Sequence, residues 1–211
     1  MNLILFDDSA WDELLPLTFT RPVSDLRVGI LKIHEKWQRY LGEKPGFYTR
    51  EHLSKKYSYE LSDDNLALNS ALLPGYEILG VIKQMKEGDV LEYQGRVMVA
   101  RLKKASMSEF LGGCMAPAKT TELLFEPVLI KNYCDIFSLN GQQIEHDFKL
   151  LTEGRVSQPL SNSNKVICPE NIFLEQGAVV ECAVLNASSG SIYIGKDSEI
   201  MEGAVVRGPF A

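Results

Sequence analysis

The stretch Asn2–Ser9, NLILFDDS, sets the frame for the fold because it reads as a strand that ends at a polar edge. Asn2–Phe6 form a short apolar run, and Asp7, Asp8 and Ser9 follow it at once. Unbroken apolar runs of this length are typical of strands that are buried on both faces of a parallel sheet. We therefore predict a parallel strand whose carboxyl end opens onto a site.

Strand and helix patterns alternate from this run to about residue 110. The predicted strands cover 46–49 and 65–69, and a hairpin joins 90–93 to 96–102 around a Gln-Gly turn. Apolar residues at helical spacing predict helices over 29–41 and 76–85. This order predicts an α/β domain over residues 1–112 that is built on a mostly parallel sheet.

Residues 113–165 read as a connector. Apolar residues recur at helical spacing in 128–139 and, more weakly, in 142–151, so each range is predicted as a helix. The segment 154–165, GRVSQPLSNSNK, is polar and marks a boundary.

A six-residue period begins after this boundary. Aliphatic residues recur at Leu174, Val180, Ile194, Ile200 and Val206. Mostly small residues follow four positions later, at Ala178, Val184, Ser198 and Ala204. This period predicts the first coils of a left-handed parallel β-helix over 166–211, with a loop at 186–193. The alternative, an antiparallel sheet, would need a period of two and frequent hairpin turns. About two turns of coil are present, which we interpret as the front part of a longer protein.

Composition limits the class of protein. The 211 residues carry a net charge of −6, which argues against a nucleic-acid partner or an anionic membrane surface. The acidic start of the chain and the absence of a long apolar run predict a soluble, cytoplasmic protein without a signal peptide. The widely spaced cysteines, at positions 114, 134, 168 and 182, are predicted to be buried free thiols.

A second motif lies one short loop after the first strand. Residues 14–29 read LLPLTFTRPVSDLRVG and contain a PLT-x-x-RP run. With the β-helix that follows, this order resembles the bifunctional UDP-N-acetylglucosamine pyrophosphorylase / glucosamine-1-phosphate N-acetyltransferase family and the related glucose-1-phosphate nucleotidyltransferases. The segments DLRVGILKIHEKW, NSALLP and IYIGKDSEIMEGAVVRGPFA resemble a divergent bacterial branch of that group. The resemblance implies a nucleotidyltransferase-like, Rossmann-like first domain.

The resemblance also implies an activity and partners. Such enzymes join a nucleoside triphosphate to a hexose 1-phosphate with Mg²⁺, which gives a nucleotide sugar for cell envelope precursors and releases pyrophosphate. Their β-helix forms trimers, and later coils carry an acetyl-CoA site with a histidine base. No histidine follows His146, so the resemblance places no acyl-transfer site in this chain.

The chain departs from the family pattern at three places. The family's glycine-rich loop is replaced by LFDD, so the resemblance puts Asp7, Asp8 and Trp11 where a triphosphate lies. At a ~4 Å separation, two like charges repel by about 1 kcal/mol or more, unless a cation bridges them. The family's lysine is absent, with Arg27 as the nearest substitute, and its metal-binding aspartate corresponds to Asn69-Ser70.

The resemblance nominates Arg21 as a catalytic phosphate clamp. Alternatively, Arg21 forms an ion pair with Asp7, Asp8 or Asp25. The expected nucleotide- or sugar-binding residues are Asp7, Asp8, Ser9, Thr18, Arg27 and Asn69. Asp8 is also a metal-ligand candidate, and Asn69 alternatively caps the turn that follows it.

Two classes of function stay open at this point. The chain is a sugar nucleotidyltransferase, or it is a catalytically degenerate module. Such a module would bind a sugar or nucleotide, or would serve the β-helix as a trimerisation scaffold.

Overall fold

A computed structural model describes residues 1–114 and 119–211, which form two compact units. The first, here called the sheet unit, comprises Met1–Leu26 and Lys32–Asp135. The second, here called the stack unit, comprises Arg27–Leu31 and Ile136–Ala211.

A six-stranded mixed sheet forms the centre of the sheet unit. Its strands are β1 (Asn2–Phe6), β2 (Gly46–Tyr48), β3 (Asn65–Asn69), β4 (Asp89–Tyr93), β5 (Arg96–Leu102) and β6 (Lys119–Glu122). They lie in the order β2-β1-β3-β5-β4-β6, and β5 runs opposite to the rest. The α/β class and the predicted strands and hairpin are confirmed. β6 falls in a stretch that the sequence pattern assigned to the connector.

Four α-helices accompany the sheet: α1 (Ala10–Glu13), α2 (Ile33–Leu41), α3 (Tyr76–Gln84) and α4 (Lys104–Leu111). The predicted helix at 76–85 is confirmed. The helix predicted from residue 29 begins only at Ile33, because Lys32 is extended and its amide donates to the Glu35 carboxylate at 2.8 Å. Gly42, with φ of +76°, ends α2 in the left-handed conformation that favours glycine.

The sheet core accounts for the uninterrupted apolar run of β1. Leu3, Ile4 and Leu5 have no exposed surface, and neither have Leu66 and Leu68 of the neighbouring β3. Strands covered on both faces bury every side chain, so they carry no alternation of polar and apolar residues. Each such side chain stabilises the fold by roughly 1.5–3 kcal/mol.

One long helix provides most of its residues to the stack unit. The two helices predicted at 128–139 and 142–151 are instead a single helix, α5 (Tyr133–Thr152). The prediction was misled by Asn140 and Gly141, which commonly end helices. Here both have tertiary roles: Asn140 Oδ1 accepts the Gly29 amide at 2.8 Å, and Gly141 leaves room for the Pro209 ring.

Seven short strands follow α5. They are β7 (Lys165–Ile167), β8 (Ile172–Leu174), β9 (Val179–Val180), β10 (Val184–Asn186), β11 (Ile192–Ile194), β12 (Glu199–Ile200) and β13 (Val205–Arg207). Each of the first four strands pairs in parallel with the third strand after it, which gives three small sheets. β11 occupies the end of the predicted 186–193 loop, which is therefore shorter than expected.

The aliphatic residues of the six-residue period share one core. Leu174, Val180, Ile194 and Val206 are buried in it, and Ile200 packs against it half-buried. The period therefore marks inward-facing positions. The strands are only two or three residues long, so no strand is long enough to show an alternation of its own. The six-residue period arises because one aliphatic residue is buried at every sixth position.

The polar segment 157–164 pairs its side chains with backbone groups on either side of β9. Gln158 Oε1 accepts the Gly177 amide, and its Nε2 donates to the Ala178 carbonyl at 2.7 Å. Asn164 likewise accepts the Ala183 amide and donates to the Val180 carbonyl. A segment that the sequence marks only as a boundary thus satisfies backbone groups that would otherwise lack partners.

The cysteines are free, as predicted, but they are not buried. Cys114, Cys134 and Cys182 are exposed and Cys168 is half-buried. Cys168 and Cys182 have φ of 56° and 51°, and both follow short strands. The Cys168 side chain packs against the core of the stack unit, whereas Cys182 is open to solvent. Over residues 1–114 and 119–211, no helix has the length and apolarity to cross a bilayer.

Candidate functional site

The candidate site lies at the carboxyl edge of three parallel strands in the sheet unit. Phe6 is in register with Tyr48 of β2 and with Asn69 of β3. Asp7, Thr49 and Ser70 are the next residues along these strands. β1 lies between β2 and β3 in the sheet. The connection after β1 therefore goes to a neighbour on one side, and the connection after β2 crosses to the strand on the other side of β1. Ligands of open α/β sheets bind in the crevice at such a switch point.

Asp7 is the most perturbed carboxyl group of this edge. Its Oδ2 accepts the Thr49 hydroxyl, and its Oδ1 accepts the Val23 amide at 3.1 Å. Burial raises the pKa of Asp7 to about 6, although these bonds and the Arg50 charge lower it. The Ser70 hydroxyl is near enough to lower the same pKa, yet its Oγ makes no hydrogen bond of ordinary geometry with a described residue.

Asp8 is held by donors on both oxygens. Its Oδ2 accepts Arg96 Nε at 3.1 Å, Arg96 Nη2 at 2.8 Å and Asn69 Nδ2 at 2.8 Å. Its Oδ1 accepts the Ala10 amide at 3.0 Å, at the start of α1. The carboxylate and the guanidinium are both partly exposed, with 23% and 29% of their side-chain surfaces accessible. Asp8 is therefore already neutralised by a cation of the chain itself.

Asn69 holds the Asp8 carboxylate of the Asp8–Arg96 pair in place. The residue is fully buried, and its Nδ2 donates to the Val97 carbonyl at 3.2 Å as well as to Asp8. Its Oδ1 accepts the Ala71 amide at 3.0 Å, which is the turn-capping role that the sequence left open. Asn69 thus caps a turn and orients the Asp8 carboxylate at the same time.

The PLT segment is folded inward rather than presented to a ligand. Thr18 is fully buried, and its hydroxyl donates to the Trp11 carbonyl at 2.6 Å. The Trp11 ring is also buried, with the Arg50 guanidinium 4.9 Å from its centre. Ser9 is exposed and precedes α1. Of Ser9 and Thr18, only Ser9 therefore has an accessible side chain.

Arg21 is exposed, and its side chain has no hydrogen bond or ion pair with any residue in 1–114 or 119–211. The alternative, an ion pair with Asp7, Asp8 or Asp25, is wrong because other groups occupy all three carboxylates. Arg21 lies two residues before Val23, whose amide binds Asp7, so its backbone reaches the site edge. Arg27 belongs to the stack unit, where its guanidinium donates to the Ile30 carbonyl.

Asp25 organises a group of polar residues beside the site. Its carboxylate accepts Lys32 Nζ at 2.7 Å and the Tyr57 hydroxyl at 3.1 Å, and it lies 3.2 Å from His34 Nε2. Burial alone would raise the pKa of Asp25, but the Lys32 and Tyr57 hydrogen bonds hold it below its usual value. Burial also lowers the pKa of His34, which favours the neutral imidazole. Tyr57 is thereby fixed in the wall of a neighbouring cavity.

Two cavities meet at Asp7 and Tyr48. One has a volume of about 510 Å³, and its other lining residues are Phe47, Thr49, Arg50, Glu51, Ser54, Tyr57, Ser58 and Tyr59. The other has a volume of about 340 Å³, and its other lining residues are Phe6, Asp8, Ser9, Gly95, Arg96, Val97, Phe110 and Leu111. The first combines aromatic walls with an arginine, and the second contains the Asp8–Arg96 pair.

The residues present do not fit a divalent cation held by the protein. In the described residues, no three His, Cys, Asp or Glu side chains converge on a possible metal position. Asp8 has donors on both oxygens, and so has Asp7. Mg²⁺ prefers free anionic oxygen ligands, and here it would have to displace a guanidinium.

Sequence reasoning missed Thr49, Arg50 and Arg96. Thr49 ends the strand predicted at 46–49 and Arg50 follows it, so the rule that led to Asp7 and Asp8 would also have selected this strand end. Arg96 opens the second strand of the predicted hairpin, 88 residues after Asp8. Its contact depends on β5 lying next to β3, which no local pattern encodes.

Comparison with known proteins identifies the family of the chain. No curated protein matches the chain. A family model described as "Sugar nucleotidyl transferase" matches residues 3–156, which includes every residue of the carboxyl edge described above. The chain therefore belongs to the sugar nucleotidyl transferase family.

Proposed function

We propose that the chain binds a sugar nucleotide and its precursors at the carboxyl edge of β1, β2 and β3, and catalyses nucleotidyl transfer there. The observation that carries the proposal is the convergence of Asp7, Thr49 and Asn69-Ser70 at a switch point of the sheet. Family membership supports the reaction class.

The larger cavity suits a nucleotide or sugar ring. Phe47, Tyr48, Tyr57 and Tyr59 provide apolar faces on which a base or pyranose can pack. Arg50 lines the same cavity and can donate to a phosphate. Aromatic side chains beside one arginine suit a ligand that has both a ring and a phosphate group, such as a nucleotide or a sugar phosphate.

The proposed reaction is a displacement at phosphorus. A phosphate oxygen of a hexose 1-phosphate attacks the α-phosphorus of a nucleoside triphosphate. The bond from that phosphorus to the bridging oxygen of the β-phosphate breaks, and pyrophosphate leaves with the electron pair. Arg21 has no partner in the described chain and supplies the clamp for the transferring phosphates.

A second candidate function is binding without turnover. It is favoured by the internal hydrogen bonds of Asp7 and Asp8, which leave neither carboxylate free as a base or metal ligand. In that case the edge recognises a nucleotide or a sugar phosphate, and the chemistry takes place elsewhere.

For the stack unit we propose a left-handed parallel β-helix. The pairing of each strand with the third strand after it, together with the six-residue period of buried aliphatics, supports this fold. The predicted trimer and the acetyl-CoA site of later coils remain expectations of the resemblance.

Two measurements test the proposal. Calorimetry with UTP, dTTP and UDP-N-acetylglucosamine should detect binding of at least one nucleotide below millimolar concentration, and no binding at that concentration would refute both candidates. A coupled pyrophosphate-release assay with hexose 1-phosphates then separates transfer from binding alone. Arg21→Ala should abolish turnover, whereas Arg39→Ala, which removes an exposed arginine of α2, should leave it unchanged.

A further inference from the structure

We infer that Arg96, rather than a divalent cation, neutralises Asp8, and that this site therefore binds its phosphate ligand without Mg²⁺. The inference rests on the proposed function for the identity of the ligand. Its statement about Asp8 and Arg96 stands on the geometry alone.

The first support is that the donors around Asp8 saturate it. Three nitrogen–hydrogen donors meet Oδ2, and a backbone amide meets Oδ1. A cation that took Oδ2 would have to displace two charge-assisted bonds of Arg96. It would also leave the half-buried guanidinium of Arg96 without its carboxylate. An uncompensated charge that is partly buried raises the free energy of the folded protein.

The second support is that the pair is rigid. Asn69 is fully buried, donates to Asp8 at 2.8 Å and accepts the Ala71 amide, so neither end of its amide is free to turn. Arg96 is the first residue of β5, in register with Tyr93 of β4. Both partners of Asp8 are therefore anchored in the central sheet, and the pair is built before any ligand arrives.

The third support is the charge that a phosphate would meet. The sequence alone places two bare carboxylates at this edge, which would repel an anionic ligand unless a cation lay between them. In the structure the charge of Arg96 cancels that of Asp8. Arg96 uses two of its five N–H donors to bind the carboxylate. Its guanidinium lines the smaller cavity, so the remaining donors can serve a phosphate that enters there.

The decisive experiment compares metal binding and ligand binding in the full chain. Mn²⁺, observed by its paramagnetic resonance signal, serves as the metal probe on wild type, Arg96→Met, Arg96→Lys and Arg101→Met. Arg101→Met is the matched control, because Arg101 lies on the same strand and forms the same kind of pair with Asp64. Circular dichroism establishes that each variant is folded.

We expect wild type, Arg96→Lys and Arg101→Met to bind no Mn²⁺ when the metal concentration is about 0.1 mM. Carboxylates that are not arranged as a metal site have dissociation constants on the order of this concentration or weaker. Arg96→Met should bind at least tenfold more tightly than wild type, because it frees Asp8. Tight Mn²⁺ binding by wild type that is lost in Asp8→Asn would overturn the inference. Equal, weak binding by wild type and Arg96→Met would overturn the role of Arg96.

Calorimetry of wild type with UDP-N-acetylglucosamine, in EDTA and in Mg²⁺, needs no variant. The two dissociation constants should agree within about twofold, whereas tenfold tighter binding in Mg²⁺ refutes the inference. Absence of binding in both buffers contradicts the proposed function instead, and the Mn²⁺ measurements then decide the role of Arg96 alone.

Discussion

Thr49 donates its hydroxyl to the Asp7 carboxylate at the point where β2 and β1 end side by side. This bond, and the one from the Val23 amide, do not outweigh burial, which raises the pKa of Asp7 to about 6. A carboxyl group with this property destabilises the fold when it is ionised. The ionised Asp7 carboxylate at this edge therefore lowers the free energy of unfolding of the protein.

Replacement of Asp7 should reveal that cost as a function of pH. The folded pKa is above the unfolded value of 3.8, so wild type gains its full stability from this group below pH 4 and loses it as the pH rises through 6. Relative to wild type, Asp7→Asn should thus gain about 2.5 kcal/mol in unfolding free energy between pH 4 and pH 8. Urea unfolding over this range measures the change. Asp63→Asn, at an exposed site, should give a flat difference, and a flat difference for Asp7→Asn would contradict the assignment.

Asn69 and Asn65 offer a matched pair at the two ends of β3. Both are fully buried and hydrogen-bonded, Asn69 at the carboxyl edge and Asn65 at the opposite edge, where it bonds Ser62 and the Leu102 carbonyl. Either substitution by alanine should cost about 2–4 kcal/mol, because buried polar partners are left unsatisfied. Only Asn69→Ala should weaken nucleotide binding, by at least tenfold, in calorimetry at a temperature where both variants are folded. Equal losses of affinity would remove Asn69 from the site.

Gly29 should tolerate no side chain. Its φ is +84°, and an added Cβ would lie 2.7 Å from Asp147 Oδ2, which accepts the Ile30 and Leu31 amides. Gly29→Ala should lower the unfolding free energy of the stack unit by about 2–4 kcal/mol, through both backbone strain and this contact. Gly154→Ala has a similar φ of +70° but open space around it, so it should cost only about 1 kcal/mol. Thermal unfolding separates the two, and equal losses would mean that the contact is unimportant.

Two adjacent valines in β9 test which way the short strands face. Val180 is 4% exposed and lies in the core of the stack unit, whereas Val179 is 51% exposed. Val180→Asp should unfold the stack unit, because a charge cannot be buried there without a partner. Val179→Asp should change stability by less than about 0.5 kcal/mol. Limited proteolysis and circular dichroism distinguish these outcomes, and the reverse order would shift the register of β9 by one residue.

The sequence predicted much of the fold because its signals were local. The apolar run before Asp7 and the Gln-Gly turn each fixed a strand or hairpin within a few residues. Helix α5 (Tyr133–Thr152) was predicted as two helices, at 128–139 and 142–151, for the opposite reason. Asn140 and Gly141 lie between the two predictions, and their contacts are with Gly29 and Pro209, which are distant in the chain. Local patterns do not encode such contacts.

The candidate site was predicted less completely for the same physical reason. Asp7, Asp8 and Asn69 could be found from strand ends, and the structure brings these three together. Arg96 could not, because its contact with Asp8 needs the strand order of the sheet. The expected repulsion at this edge is largely removed by that one missed residue.

The side-chain closure at residues 157–164 has a consequence for assembly. Gln158 and Asn164 occupy backbone groups on either side of β9, so side chains take the place of a further strand on that edge. The two-stranded sheet of β9 and β12 therefore leaves only its β12 edge open to backbone pairing. Edge-to-edge stacking of this sheet from chain to chain would need both edges, and one of them is blocked.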